Sequence, residues 1–259
     1  MTDISSVGVR SGTVRVVVFG TGTVGNATIE LCASRPWIDV VGVVNTSGAA
    51  VTTGRSIPVG LEGVSFSLTP DEVLAETKPD VALIATRSPI TEVLPDIERC
   101  ANRGIAVICT SEELPWPSVT SQRDAEVLRD LAARTSVAIV ATGINPGFVF
   151  DALPLVLASG SWDISQIHVS RSLDASVFGQ SVHRSLGVGY DPSKVHQAIA
   201  DGTVRGHIGF EESARTIAAG MGLVMTRFEE HIEPVIADRP YELREYRIEP
   251  GETAGVTQT

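Results

Sequence analysis

Val14-Arg-Val-Val-Val-Phe-Gly-Thr-Gly-Thr-Val-Gly25 is the stretch whose reading decides the fold. The β-branched run of Val14, Val16, Val17 and Val18 reads as a strand buried on both faces, as a parallel sheet requires. It passes into Gly20-Thr21-Gly22-Thr23-Val24-Gly25, with the G-x-G-x-x-G spacing, and then into a helix expected from about Asn26 to Ser34. Gly20 permits a tight turn, Gly22 lets a pyrophosphate approach the backbone, and Gly25 lets the helix pack against the strand. The first amides of that helix, with its positive dipole end, suit phosphate. A glycine turn of purely structural use is the plainer alternative. The position between a buried strand and a helix favours a dinucleotide.

Outward from this stretch, strands and helices alternate. Asp39 to Asn45 reads as a second strand, ending at Asn45-Thr46-Ser47 with no carboxylate to hold the ribose hydroxyls of NAD. A 2′-phosphate meets no repulsion there, and Arg55 lies further on, so the reading leans to NADP, with NAD as the alternative. Thr69-Pro-Asp-Glu72 has the form of a capping box with proline at the first helical position. Val81 to Thr86 is a further strand, placing Thr86 and Arg87 where open α/β sheets bind ligands. A helix follows from Pro89 to Arg103, with Pro95 able to kink or shift it, then a strand at Ile105 to Cys109. A helix from Gln122 to Arg134 and a strand from Val137 to Ala141 complete the series. The pattern implies an α/β fold: a doubly wound, Rossmann-type parallel sheet over residues 1–141. Residues 142–259 read as a smaller α+β domain for substrate and dimerisation. Its expected elements are helices at Phe148 to Ser159 and Glu211 to Gly220, and strands at Gln166 to Ser172 and Glu242 to Ile248. The last residues, Thr253 to Thr259, show no closing helix or turn, which leaves this domain open to being incomplete.

The 259 residues carry a net charge of −11, with 43% hydrophobic and 20% charged residues. That balance allows a sizeable core and argues against nucleic acid or an anionic membrane surface as partner. No apolar run is long enough to cross a bilayer, and Met1 to Ser6 lacks the regions of a signal peptide. Three scattered cysteines, Cys32, Cys100 and Cys109, fit a reducing, cytoplasmic setting. No spacing suggests a metal site.

Glu112 and Glu113, beside Trp116, follow a strand end where a nicotinamide ring is expected to lie. A carboxylate half-buried against an aromatic ring suits general acid/base work. Adjacent glutamates can equally open a helix, and one can cap while the other catalyses. Asn145, in Gly143-Ile-Asn-Pro-Gly147, can donate to the nicotinamide carboxamide or to substrate, or simply form an Asn-Pro turn. Arg171 and His207 can anchor a substrate carboxylate, Arg171 as a bidentate fork. A structural role is the commoner fate of a lone arginine or histidine.

The glycine loop, Thr110-Ser-Glu-Glu-Leu-Pro-Trp-Pro117, Thr142-Gly-Ile-Asn-Pro-Gly-Phe148, Ser170-Arg-Ser-Leu-Asp-Ala-Ser176 and Gly206-His-Ile-Gly-Phe-Glu-Glu-Ser213 occur in this order. Together they resemble the 2,4-diaminopentanoate dehydrogenases and native amine dehydrogenases, relatives of dihydrodipicolinate reductase. The resemblance implies an oxidoreductase that reversibly deaminates an amine with NAD(P) and releases ammonia, or aminates a ketone in reverse. It implies Glu113, or else Glu112, as general acid/base. Trp116 and Phe148 are expected at the substrate, with Arg171 and His207 holding a carboxylate. Leu173 beside Arg171 points instead to a simpler amine or ketone. The histidine- and lysine-containing motif of dihydrodipicolinate reductase is replaced by His168-Val-Ser-Arg-Ser-Leu-Asp174. Imine reduction is therefore the weaker alternative, and a non-catalytic NADP-binding module the third. A homodimer is expected, since an incomplete sheet leaves edges to cover.

Overall fold

A computed structural model describes residues 12–45, 64–67, 69–177, 179–243 and 246–259. Two compact units divide the chain, Met1–Phe148 and Val149–Thr259. In the first, β1 (Val14–Phe19), β2 (Ile38–Val44), β3 (Ser65–Ser67), β4 (Val81–Ile84), β5 (Ala106–Cys109) and β6 (Ile139–Ala141) form one six-stranded sheet. Its order is β3-β2-β1-β4-β5-β6, with every neighbouring pair parallel. This is the doubly wound order, which reverses direction between β1 and β4.

The central strand shows what the valine run does. Successive side chains of a strand point to opposite faces. Val17 and Phe19 join Ile84, Val93, Ile97 and Leu131 in one core, while Val16 and Val18 join Ile29, Cys32 and Val43 in another. Both faces are covered by helices: α1 (Thr23–Ala33), α2 (Pro70–Thr77), α3 (Ile90–Ala101) and α4 (Gln122–Thr135). The buried face of α3 reads Ile90, Val93, Ile97, Cys100 and Ala101, the spacing of a single helical stripe. Pro95 neither breaks nor delays α3 and lies exposed within it. The capping box expected at Thr69 does not form, because Thr69 makes no side-chain cap bond. Ser67 takes its place, accepting from the Thr69 amide at 3.0 Å and donating to Glu72 at 3.1 Å.

The second unit holds α5 (Ala152–Ala158), α6 (Gln180–Ser185), α7 (Pro192–Ala200), α8 (Phe210–Gly220), β7 (Ile232–Ile236), β8 (Tyr241–Glu242), β9 (Arg247–Ile248) and β10 (Thr253–Gln258). β10 pairs antiparallel with β7, and β8 with β9. Its cores are small. Val188, Ala237 and Ile248 form one, and Val195, Ala198 and Val204 another. Asp151 is 2% exposed and caps α5 through the Ala152 amide at 2.6 Å. Its other oxygen accepts from Ser213 Oγ of α8 at 3.0 Å.

Three expectations for this unit need correction. The helix expected from Phe148 begins at Ala152, where Asp151 supplies the cap. The stretch Gln166 to Ser172 alternates half-buried Ile167, Val169 and Arg171 with exposed His168 and Ser170, but no described strand pairs with it. Arg171 therefore lies in an irregular segment rather than at the end of a described strand. Glu242 to Ile248 is no continuous strand. The chain reverses there, with the Leu243 amide donating to Tyr246 O at 2.9 Å. The terminal residues, expected to carry no closing helix or turn, form the strand β10 and pair along β7.

No helix among the described residues is long and apolar enough to cross a membrane. Ile97 is 0% exposed in the larger core. Ile97→Ala is expected to lower unfolding stability by about 2–5 kcal/mol, measured by urea denaturation.

Candidate dinucleotide site and the carboxylate edge

The turn after β1 is built by two close approaches of backbone to backbone. Gly20 adopts φ +96°, and a Cβ there would stand 2.5 Å from Ala85 O at the end of β4. A Cβ on Gly25 would stand 2.1 Å from Gly20 O. Neither position has room for any side chain. At Gly22, by contrast, an added Cβ meets nothing within 4 Å, so the space above the turn is open. Gly22 caps α1 without a side-chain bond, and the first turn of α1 holds no acidic residue. Asn26 stiffens the loop, its amide donating to Gly22 O and its side-chain Nδ2 to Thr21 O, each at 2.9 Å. Thr23 and Val24, exposed, open the helix. This cradle at the switch point between β1 and β4 fits the pyrophosphate of a dinucleotide, which needs close backbone approach and unshielded helix amides.

The other candidates of this unit follow strand ends on the same carboxyl edge. Asn45 is 7% exposed after β2, and its amide donates to Ser67 O at 3.1 Å. Thr46 and Arg55, which bear on the choice between NADP and NAD, lie outside the described residues. Thr86 and Arg87 are exposed after β4, and Arg87 pairs with Glu92 at 3.4 Å. Asn145, 7% exposed, sits after β6 in a loop where a Cβ on Gly143 would lie 2.5 Å from Pro146 O. Phe148 is 54% exposed at the end of that loop.

The turn after β5 is sewn to the turn after β4. Thr110 N donates to Ile84 O at 2.9 Å, and the buried Ser111 donates through Oγ to Ser88 O at 2.5 Å. Glu112, Glu113 and Trp116 are half-buried. Glu113 Oε2 accepts from the Ile90 amide, the first of α3, at 2.8 Å. Glu113 thus caps a helix, but an earlier one across the sheet edge rather than the one that follows it. The bond fixes the carboxylate at the edge that carries the cradle. Burial pushes the Cys109 thiol up to about 11 and the Cys100 thiol up to about 12, so both stay protonated at neutral pH.

In the second unit, Arg171 lies half-buried in its irregular segment, with Leu173 55% exposed nearby in sequence. His207 precedes α8, its ring edge-on to Phe210 at 6.0 Å, and Phe210 packs on Phe150 at 5.3 Å. Gln258 of β10 grips the His207 backbone at both polar atoms. Its Oε1 accepts from His207 N at 2.6 Å and its Nε2 donates to His207 O at 2.9 Å. Sequence reading passed over Gln258, because 51 positions separate it from His207 and only the pairing of β10 brings it there.

Residues 148–259 match the family model described as the 2,4-diaminopentanoate dehydrogenase C-terminal domain. The chain is 27% identical over 229 residues to 2,4-diaminopentanoate dehydrogenase of Acetoanaerobium sticklandii, covering 87% of this chain and 65% of that protein. It is 29% identical over 203 residues to an amine dehydrogenase of Streptomyces virginiae, covering 72% of this chain and 55% of that one. It therefore spans less than two thirds of the length of either curated relative. The solved amine dehydrogenase of Mycobacterium smegmatis superposes with a TM-score of 0.72 at 22% identity, over 96% of this chain and 74% of the other, which establishes the shared fold. The resemblance read from the motifs is borne out by these matches.

Two substitutions test the edge. Gly25→Ala, forced against Gly20 O, is expected to weaken nicotinamide-dinucleotide binding at least about tenfold by fluorescence titration, as a displaced helix costs more than one hydrogen bond. Glu113→Ala is expected to cost about 0.5–2 kcal/mol in denaturant unfolding through loss of the α3 cap, and Glu113→Gln much less.

Proposed function

Taking the chain as a relative of the 2,4-diaminopentanoate and amine dehydrogenases, we propose that it is an NAD(P)-dependent oxidoreductase that reversibly deaminates an amine. NADP is the favoured cofactor, because no carboxylate ends β2 at Val44 and Asn45. The observation that carries the reading is the convergence on one sheet edge of the open glycine cradle and an anchored carboxylate, Glu113. The second unit supports the amine substrate, since it matches the C-terminal domain of a dehydrogenase of that class.

When bound, a nicotinamide cofactor supplies the hydride acceptor that takes an amine carbon to the imine level, and the donor in reverse. The chain's own residues supply positioning and proton transfer. Glu113 takes a proton from the substrate ammonium on the oxygen not held by Ile90 and releases it to solvent. In the hydrolytic half it takes a proton from the water that adds to the iminium carbon, returns it to the nitrogen and then draws the proton of the new hydroxyl. Ammonia leaves as the carbonyl forms. Glu112 is the neighbouring alternative for the same task. Trp116 and Phe148 offer apolar surface to the carbon chain. Arg171 and His207 hold a carboxylate when the substrate is 2,4-diaminopentanoate-like, and a simple amine or ketone would leave them idle. Unit 2 exposes Val156, Leu157 and Val224, apolar side chains that a homodimer would cover.

The test is absorbance at the reduced-nicotinamide band with NAD or NADP, using 2,4-diaminopentanoate and, in reverse, ammonia with a panel of ketones. Turnover is expected, faster with NADP. Glu113→Gln keeps an acceptor for the Ile90 amide, so its stability should hold while kcat falls on the order of 100- to 10,000-fold. Full turnover in both Glu113→Gln and Glu112→Gln would overturn the acid/base assignment.

A further inference from the structure

We infer that Gln258, in the final strand, is a positioning residue for the substrate-anchoring loop, setting His207 through the backbone rather than touching substrate. This role rests on the reading of His207 as a carboxylate anchor. The Gln258 side chain accepts at Oε1 and donates at Nε2 to the same residue, at His207 N and His207 O. A side-chain amide bonded in this way imitates a strand neighbour, so the loop gains a rung of ladder without being a strand. The fit is close on the approach side too. Gly206 adopts φ +63°, and a Cβ there would lie 2.4 Å from Gln258 Oε1. Position 206 is thus kept bare where the amide comes in.

The amide is itself oriented. Gln258 Nε2 also donates to Glu230 Oε1 at 2.8 Å, which fixes which end of the amide is nitrogen. β10 holds its register on β7 through Gln258↔Ile232, and His231 and Thr259 exchange backbone bonds at 2.8 and 2.9 Å. The backbone of His207 is therefore tied to the β7–β10 ribbon, while its ring is braced by Phe210. A loop held at backbone and ring presents its imidazole in one direction, and binding need not order it.

The experiment measures calorimetric binding of 2,4-diaminopentanoate to the NADPH-loaded full chain, which cannot oxidise it, with 2,4-diaminopentane, in which a methyl group replaces the carboxylate, as comparator. Gln258→Ala is expected to weaken 2,4-diaminopentanoate binding about tenfold, the loss of two modest hydrogen bonds. Binding of 2,4-diaminopentane and of NADPH should be unchanged. Gln258→Glu keeps the acceptor for His207 N but sets a carboxylate against His207 O and Glu230, so it should weaken binding in the same selective way and serves if the alanine variant fails to fold. In steady state the effect should appear in KM rather than kcat. Equal losses for both amines would mean a merely structural Gln258 and would overturn the inference. So would unchanged 2,4-diaminopentanoate binding in Gln258→Ala where His207→Ala weakens it. If His207→Ala itself leaves that binding intact, the anchor reading falls and this role falls with it.

Discussion

The contact on which the first unit depends is the one between Gly25 and the carbonyl of Gly20. A helix can start this close to the strand that feeds it only if nothing projects from position 25, since an added Cβ would sit 2.1 Å from that oxygen. The same closeness turns the first amides of α1 over the turn and leaves the space at Gly22 open. Gly20 in turn lies under Ala85 O, so the turn after β1 and the end of β4 are one packed object. The cradle is therefore a property of the sheet's switch point and not of a glycine-rich loop alone.

A second constraint joins the chemistry to the scaffold. Glu113 holds the first amide of α3, the helix whose stripe of Ile90, Val93 and Ile97 fills the larger core. Ser111 and Thr110 tie the same turn to the end of β4. A side chain fastened in this way has few alternative rotamers, which suits proton transfer at a fixed atom. It also means that a carboxylate here is explained by helix capping even before any reaction is considered.

The parallel sheet was legible because its signals are local. The valine run, the alternation of its side chains and the proline and glycine boundaries all lie within a few residues, and β1, β4 and β5 fall where they point. Non-local features were not legible. Ser67 displaced Thr69 as partner of Glu72, a choice made by the path of β3 and not by the motif. In the second unit, Ile167 and Val169 have the alternation of a strand but no described partner, and a strand exists only as a pair. The seven residues from Thr253 to Thr259 carry little hydrophobic pattern, and their order comes from pairing with β7. Asn45, Asn145 and the two glutamates could be named from their places after strands. That Glu113 reaches back 23 residues to Ile90 could not.

Asp151 divides its two oxygens between the first amide of α5 and the hydroxyl of Ser213 on α8. Both partners are lost together if the side chain swings out, and a buried carboxylate with neither is costly. The start of α5 and its hold on α8 are therefore coupled through this side chain. In a unit whose apolar cores are small, one buried side chain lends these two helices the cooperativity that a larger core provides elsewhere.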